Sequence, residues 1–224
     1  MSNILSTRAY IFDYGGTLDT GGCHWGRVLW KAWQQAGVPA TEEQFREAYV
    51  FAERLLGSQP VIKPDYTFRQ TLSEKLRIEL AQVGSEAYHD TVLDMVYEQT
   101  LRHVAHSREV LQQLHQPMVL VSNFYGNMPT VLREFELDQL FIQVIESAMV
   151  GVRKPDPRIF MLGVEALGLL PEQVVVVGDS IEKDILPARQ VGCRTVWLRG
   201  EQWTNAPVDE SLPDLIVKDL KELL

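Results

Sequence analysis

The sequence is short of cysteine, short of positive charge and without a long apolar run. Its two cysteines, Cys23 and Cys193, stand far apart in a chain of 224 residues. That spacing excludes a disulfide framework or a cysteine-built metal centre and fits a reducing cytoplasm. Lysine and arginine number 21 against 30 aspartates and glutamates, for a formal net charge of −9. A field of that sign disfavours nucleic acid and anionic membranes as main partners. No apolar run reaches membrane-spanning length, and "MSNILSTRAY" lacks the basic start and apolar stretch of a signal peptide. Internal repeats and low-complexity segments are missing too. The expectation is a soluble, cytoplasmic globular protein, 46% hydrophobic and 23% charged, with room for one core domain and a smaller insertion.

What is present changes rhythm twice. Residues 8–13 read as a short apolar strand ending on Asp13. From about Trp25 to His106 the spacing is helical. "WGRVLWKAWQQAG" stops at Gly37, and the next segment opens on Thr41 with Gln44 three residues later, a capping-box pattern. Phe68, Leu72, Leu76 and Leu80 form a further apolar stripe, and "YHDTVLDMVYEQTL" continues in the same way. After residue 107 helices and continuous apolar strands alternate: helix "SREVLQQLHQ", strand 118–122, helix 129–135, strand "FIQVIES", and a helix with Asp156 as N-cap. Strand 174–178, a helix to Gly192, strand 194–198 and a late "DLIV" strand follow. This alternation predicts an α/β fold with a doubly wound parallel sheet. Residues 1–19 and 107–224 would form the core, and 20–106 an inserted helical cap.

In such sheets, sites gather at the carboxyl ends of strands. Four ends carry polar groups: Asp13 with the loop Gly15-Gly16-Thr17, Ser122-Asn123, Lys154 ahead of its helix, and Asp179 with Asp184 five residues on. Together they suit phosphoryl transfer. A carboxylate can attack phosphorus, a divalent cation held by carboxylates can neutralise the dianion, and lysine and hydroxyl donors can hold its oxygens. Taken singly, Lys154 could be a surface lysine, Asp184 could cap the helix beginning "ILPARQ", and Trp25, Trp30 and Trp33 could be core or could line a substrate face.

The joint order resembles the haloacid dehalogenase (HAD) superfamily of hydrolases. "DYGGT" is similar to its first motif, Asp-x-Asp-x-Thr, "VLVSN" to the second, Lys154 in "RKPDPRIF" to the third and "VVVVGDSIEKD" to the fourth. The resemblance implies a Rossmann-like core with a cap and a phosphatase acting on a small phosphorylated metabolite. It makes Asp13 the nucleophile, with Lys154 beside it. Mg²⁺ would sit on Asp13, the Gly15 carbonyl, Asp179 and Asp184, and Thr17, Ser122, Asn123 and Lys154 would bind phosphoryl oxygens. The departure is Gly15, which stands where the family's phosphatases carry the Asp that shuttles a proton to the leaving group. Asp19 and His24 are substitutes for it, though the first reads as a turn residue and the second as a helix start. The resemblance leaves other outcomes open: a silent metabolite-binding relative, a phosphonatase using a cap lysine (Lys31 or Lys63), or a metal-free dehalogenase, against which the retained acids argue.

Overall fold

In the computed structural model, residues 7–204 and 207–224 are described. The N-terminal 1–6, part of the stretch read above for a signal peptide, lie outside them. Six parallel strands form one sheet in the order β3-β2-β1-β4-β5-β6: β1 Ala9–Phe12, β2 Met118–Ser122, β3 Gln143–Glu146, β4 Val174–Gly178, β5 Arg194–Leu198 and β6 Leu215–Val217. β1 lies between β2 and β4, pairing Ile11 with Val119 on one side and with Val176 on the other. The late "DLIV" strand is therefore the sheet's edge.

Alternation along the strands sorts residues to two faces, as the pleat requires. Ile11, Val119, Val121, Val174 and Val176 pack on one side against Ile159, Phe160 and Val164 of the helix Arg158–Leu167. Phe12, Leu120, Val175 and Val177 face the other side, in an apolar cluster that continues into the inserted helices. Both faces are covered, which is why the strands read as unbroken apolar runs rather than as alternating ones. Among the described residues no helix is long and apolar enough to cross a membrane.

Four helices fill the insertion between β1 and β2: α1 Trp25–Ala36, α2 Glu42–Ser58, α3 Phe68–Ala81 and α4 His89–Leu111. Their starts follow local chemistry. Thr41 and Thr67 each close a capping box, with Gln44 and Gln70, and His24 caps α1 through Nδ1, which accepts from the Gly26 N–H at 3.0 Å. The separate helix expected from residue 107 does not exist. α4 runs through that point as one element of 23 residues. Ser107, the first residue of that expected helix, donates its hydroxyl to the Leu18 carbonyl at 2.8 Å. Pro157, not Asp156, takes the N-cap position of the helix that begins at Arg158, while Asp156 Oδ1, one residue earlier, accepts from the Arg158 N–H at 3.0 Å. Asp184 does not cap the helix Leu186–Gln190. Ser180 caps the preceding π-helical turn Ile181–Ile185 in its place, accepting from the Lys183 N–H.

Trp33 is core and Trp30 packs half-buried against it, both on Phe45 at centroid distances of 5.0 and 5.3 Å. The Trp33 ring is fully buried and its indole N–H meets no acceptor. Trp33→Ala is therefore expected to lose about 3–5 kcal/mol of unfolding free energy. Trp33→Phe, which keeps most of the ring and removes the unpaired N–H, should lose far less, as measured by denaturant titration.

Between α2 and α3 lies an ionic cluster, in which buried Lys75 pairs with half-buried Glu53 and stands 3.9 Å from buried Glu79. Burial, against the pull of Lys75, pushes the Glu79 carboxyl from 4.5 up to about 8. The folded state then holds a proton that the unfolded chain has released, so this contribution is full below pH 4.5 and is lost as pH rises to about 8. Stability is expected to fall across that window by up to about 1 kcal/mol per pH unit. Glu79→Gln should flatten the profile, read from unfolding curves at pH 5 and pH 8.

Candidate active site

Each functional side chain sits at or just beyond the carboxyl end of a strand. β1 carries the chain into Asp13, and its N–H is held by the Val177 carbonyl of β4 at 3.0 Å. The loop then folds back on itself. Thr17 and Leu18 donate their N–H groups to the Tyr14 carbonyl, and Thr17 Oγ1 lies 3.0 Å from Asp13 Oδ2 and 3.3 Å from Asp179 Oδ1. Asp179 follows β4 directly, its own carbonyl fixed by the Trp197 indole N–H at 2.7 Å.

Lys154 closes the group. Its ammonium donates to Asp13 Oδ1 and, at 2.7 Å, to Asp184 Oδ1. All four of Asp13, Lys154, Asp179 and Asp184 are buried, so this is no solvated surface lysine. Burial pushes the Asp13 carboxyl up to about 6 although the Lys154 charge pulls it down. Asp179 is driven well above the ordinary carboxylate range by burial and by its neighbours Asp184 and Asp13. Lys154 lies above the usual lysine range because the two carboxylates outweigh its burial.

Two glycines make the packing possible. Gly16 has φ +102°, and a Cβ there would stand 2.5 Å from the Asp179 carboxyl carbon. At Gly178 a Cβ would stand 2.4 Å from that of Asp184. Gly15 differs from both: its nearest neighbour, Trp25 Nε1, is 3.8 Å from where a Cβ would be, an ordinary contact.

Asp13, Asp179 and Asp184 each offer an oxygen within 4.8 Å of the others. The donor set is all oxygen, which suits a hard divalent cation such as Mg²⁺. Three buried carboxylates also exceed the single ammonium among them, an imbalance that such a cation would offset. Ser122 is buried at the end of β2. Asn123 has a role beyond the expected one. Its amide donates to the Lys154 carbonyl and accepts from the Lys154 N–H, both at 2.9 Å. The side chain expected to hold phosphate thus braces the lysine's backbone.

The candidate substitutes for the missing acid separate. His24 caps α1, and burial lowers it to about 4, leaving it neutral. Asp19 lies in a turn, as expected. It is buried, Oδ1 accepting from the Gly16 N–H at 2.7 Å and Oδ2 from the Trp25 indole at 3.1 Å. Burial, against the Gly16 hydrogen bond, pushes its carboxyl up to about 8. Asp19 thus locks the catalytic loop to α1 through a tryptophan that lies over Gly15. Lys31 and Lys63 lie elsewhere: Lys31 pairs with Glu201 on the surface and Lys63 stands 5.7 Å over the Tyr66 ring. The buried cap lysine is Lys75, invisible to sequence reading because only the packing of α2 on α3 brings Glu53 to it. Its charge is held above the usual range by Glu53, which outweighs burial, a poor state for Schiff-base chemistry.

A parallel six-stranded α/β sheet with a helical insertion after its first strand and acids at its strand ends defines a class of hydrolase. Residues 7–192 match the model of the haloacid dehalogenase-like hydrolase family, and the chain belongs to that family. It is similar to a glyceraldehyde 3-phosphate phosphatase of Pyrococcus furiosus, 30% identical over 71% of this chain and 66% of that protein. It is also similar to a phosphoglycolate phosphatase of Vibrio parahaemolyticus, 29% identical over 95% of this chain and 92% of that one. Among solved structures, a dehalogenase superposes with a TM-score of 0.65 at 21% identity, covering 99% of this chain and 97% of its own. A HAD phosphatase of Thermococcus onnurineus gives 0.53 at 21%, covering 97% and 96%. Both kinds of chemistry share this fold, so the fold alone does not choose between them.

Gly16→Ala is expected to displace Asp179, because backbone and carboxylate cannot both keep their places. Misplacement of about 1 Å costs on the order of 100-fold in rate. Hydrolytic assays of the folded variant, with circular dichroism as the folding control, would measure that loss.

Proposed function

We propose that this hydrolase is a Mg²⁺-dependent phosphatase of small phosphorylated metabolites, working through an aspartyl phosphate on Asp13 and slow on ordinary alkyl phosphomonoesters. The observation that carries the reading is the convergence of Asp13, Thr17, Lys154, Asp179 and Asp184 in one buried group. The similarity to phosphatases of glyceraldehyde 3-phosphate and phosphoglycolate supports it. Residues 20–106 act in this reading as the cap over the site, and the two unpaired cysteines are in keeping with a cytoplasmic setting.

An Asp13 oxygen attacks phosphorus, the bond from phosphorus to the leaving oxygen breaks, and the phosphoryl group passes to the carboxylate. Lys154 and Thr17, already on Asp13, hold that carboxylate in line, and their remaining hydrogen-bonding capacity, with Ser122, faces the phosphoryl oxygens. Mg²⁺ bound by Asp13, the Gly15 carbonyl, Asp179 and Asp184 would offset the substrate's negative charge. Water then cleaves the acyl phosphate, releasing phosphate and regenerating Asp13.

Both half-reactions need a proton moved, and Gly15 has no side chain to move it. General acid–base catalysis is typically worth ~10²–10⁴-fold, or about 3–5 kcal/mol of barrier. Alkyl leaving groups suffer most from its loss, and acyl or aryl phosphates less. The same glycine favours a second reading, a relative that binds phosphorylated metabolites without turning them over.

One comparison separates the two. With Mg²⁺ present, Gly15→Asp is expected to raise turnover of alkyl phosphates by ~10²–10⁴-fold, since a Cβ at Gly15 makes only ordinary contact with Trp25. Asp13→Asn should abolish turnover of every phosphate tested. Activity that survives Asp13→Asn contradicts the nucleophile, and native enzyme inert even to acyl phosphates favours the silent relative.

A further inference from the structure

Between α2 and the strand-end loops lies a cavity of about 650 Å³, lined in part by His24, Tyr49, Glu53, Arg54, Arg153 and Lys183. It adjoins the catalytic group through the chain itself. Arg153 precedes Lys154, and Lys183 precedes Asp184. Tyr49 is close enough to Asp179 and Asp19 for their charges to add to the effect of burial in raising its hydroxyl.

The charge in this cavity is unusual for so acidic a chain. Arg54 comes from the cap, Arg153 and Lys183 from the core, and none of the three forms a salt bridge among the described residues. The cavity's one carboxylate, Glu53, is already engaged by Lys75 and, at 3.3 Å, by the Tyr125 hydroxyl. Arg153 reaches across from the core: its Nη1 stands 3.7 Å from where a Cβ on Gly57 of α2 would be. His24 adds a neutral donor, since its Nδ1 accepts from Gly26 and its proton therefore sits on Nε2. Three cations, a donor and no free carboxylate form a recognition surface for an anion, and two of the cations are the planar forks that bind carboxylate or phosphate with two parallel hydrogen bonds.

We propose that this cavity binds a second anionic group of the substrate, at the end away from the phosphoryl group, through Arg54, Arg153 and Lys183. The inference rests on the phosphatase reading and narrows its substrate class to metabolites with a carboxylate or a second phosphate a few atoms from the first. It also gives the cap a means of sensing substrate. The second anion bridges Arg54 of α2 to Arg153 and Lys183 of the core, so a substrate carrying it ties the two together, and one without it does not.

The test is equilibrium binding to the Asp13→Asn protein with Mg²⁺, read by calorimetry or by the fluorescence of Trp203, which also lines the cavity. The probes share three carbons: glycerol 3-phosphate, 3-phosphoglycerate and a three-carbon bisphosphate. At least one doubly anionic probe is expected to bind about tenfold to a hundredfold more tightly than glycerol 3-phosphate, the range for charged hydrogen bonds. Whichever of the two binds more tightly identifies the second group. Arg54→Gln, Arg153→Gln and Lys183→Gln should each shrink that preference, and the triple variant should remove it. All three positions are solvent-exposed, so folding is expected to survive, and melting curves check that. Equal binding of all probes, or a preference untouched by the triple variant, overturns the second-anion site and leaves the phosphatase reading intact. Failure of every probe to bind overturns both.

Discussion

The site depends on one buried ammonium. Lys154 joins Asp13 to Asp184, and without it three carboxylates would face one another where water cannot screen them. Charges so placed are tolerable when paired and hydrogen-bonded, and removal of one partner typically costs ~3–5 kcal/mol. The surroundings are arranged to keep that lysine in place. Asn123 holds its main chain at both ends, Phe160 lies 5.9 Å beneath the ammonium, and Gly178 leaves the room in which Asp184 can turn back toward it.

The sheet supplies the convergence. β1 is central, with β2 and β4 hydrogen-bonded on either side. The loops leaving neighbouring strands therefore start about 5 Å apart, which brings Asp13 beside Asp179 and puts Ser122 at the adjoining end of β2. The insertion after β1 then brings helices over the same strand ends. Trp25 ties α1 to the catalytic loop through Asp19, and Glu53 of α2 reaches Tyr125 in the loop after β2. The cavity between cap and core is a product of that folding-over.

Much of this could be read from the sequence because its cause is local. Strands buried on both faces must be continuously apolar, as "VVVV" at 174–177 is, and a carboxylate at the end of such a run marks a strand end with a task. The capping boxes at Thr41 and Thr67 are set within four residues. Features that needed the third dimension were missed. Ser107 looks like a helix start because a hydroxyl often is one, yet its partner is the Leu18 carbonyl, 89 residues away. Asn123 reads as a phosphate ligand, and only the fold shows that its amide also braces the Lys154 main chain. Asp19 gave no sign of burial, since its lock needs Trp25 one helix start later. Arg54, Arg153 and Lys183 read singly as surface cations, and only the packing of α2 on the core brings them to one cavity.

The central claim is that Asp13 forms a covalent intermediate in a site with no proton shuttle. Without a base to activate water, the second half-reaction slows as well as the first, so an acyl phosphate with Mg²⁺ should phosphorylate the enzyme faster than the adduct is cleared. Acid-quench peptide mass spectrometry during turnover of an acyl phosphate tests this directly. The account predicts a phosphoryl adduct that accumulates on the peptide bearing Asp13 and is lost in Asp13→Asn. Release of phosphate with no adduct at Asp13, or an adduct elsewhere, would contradict it.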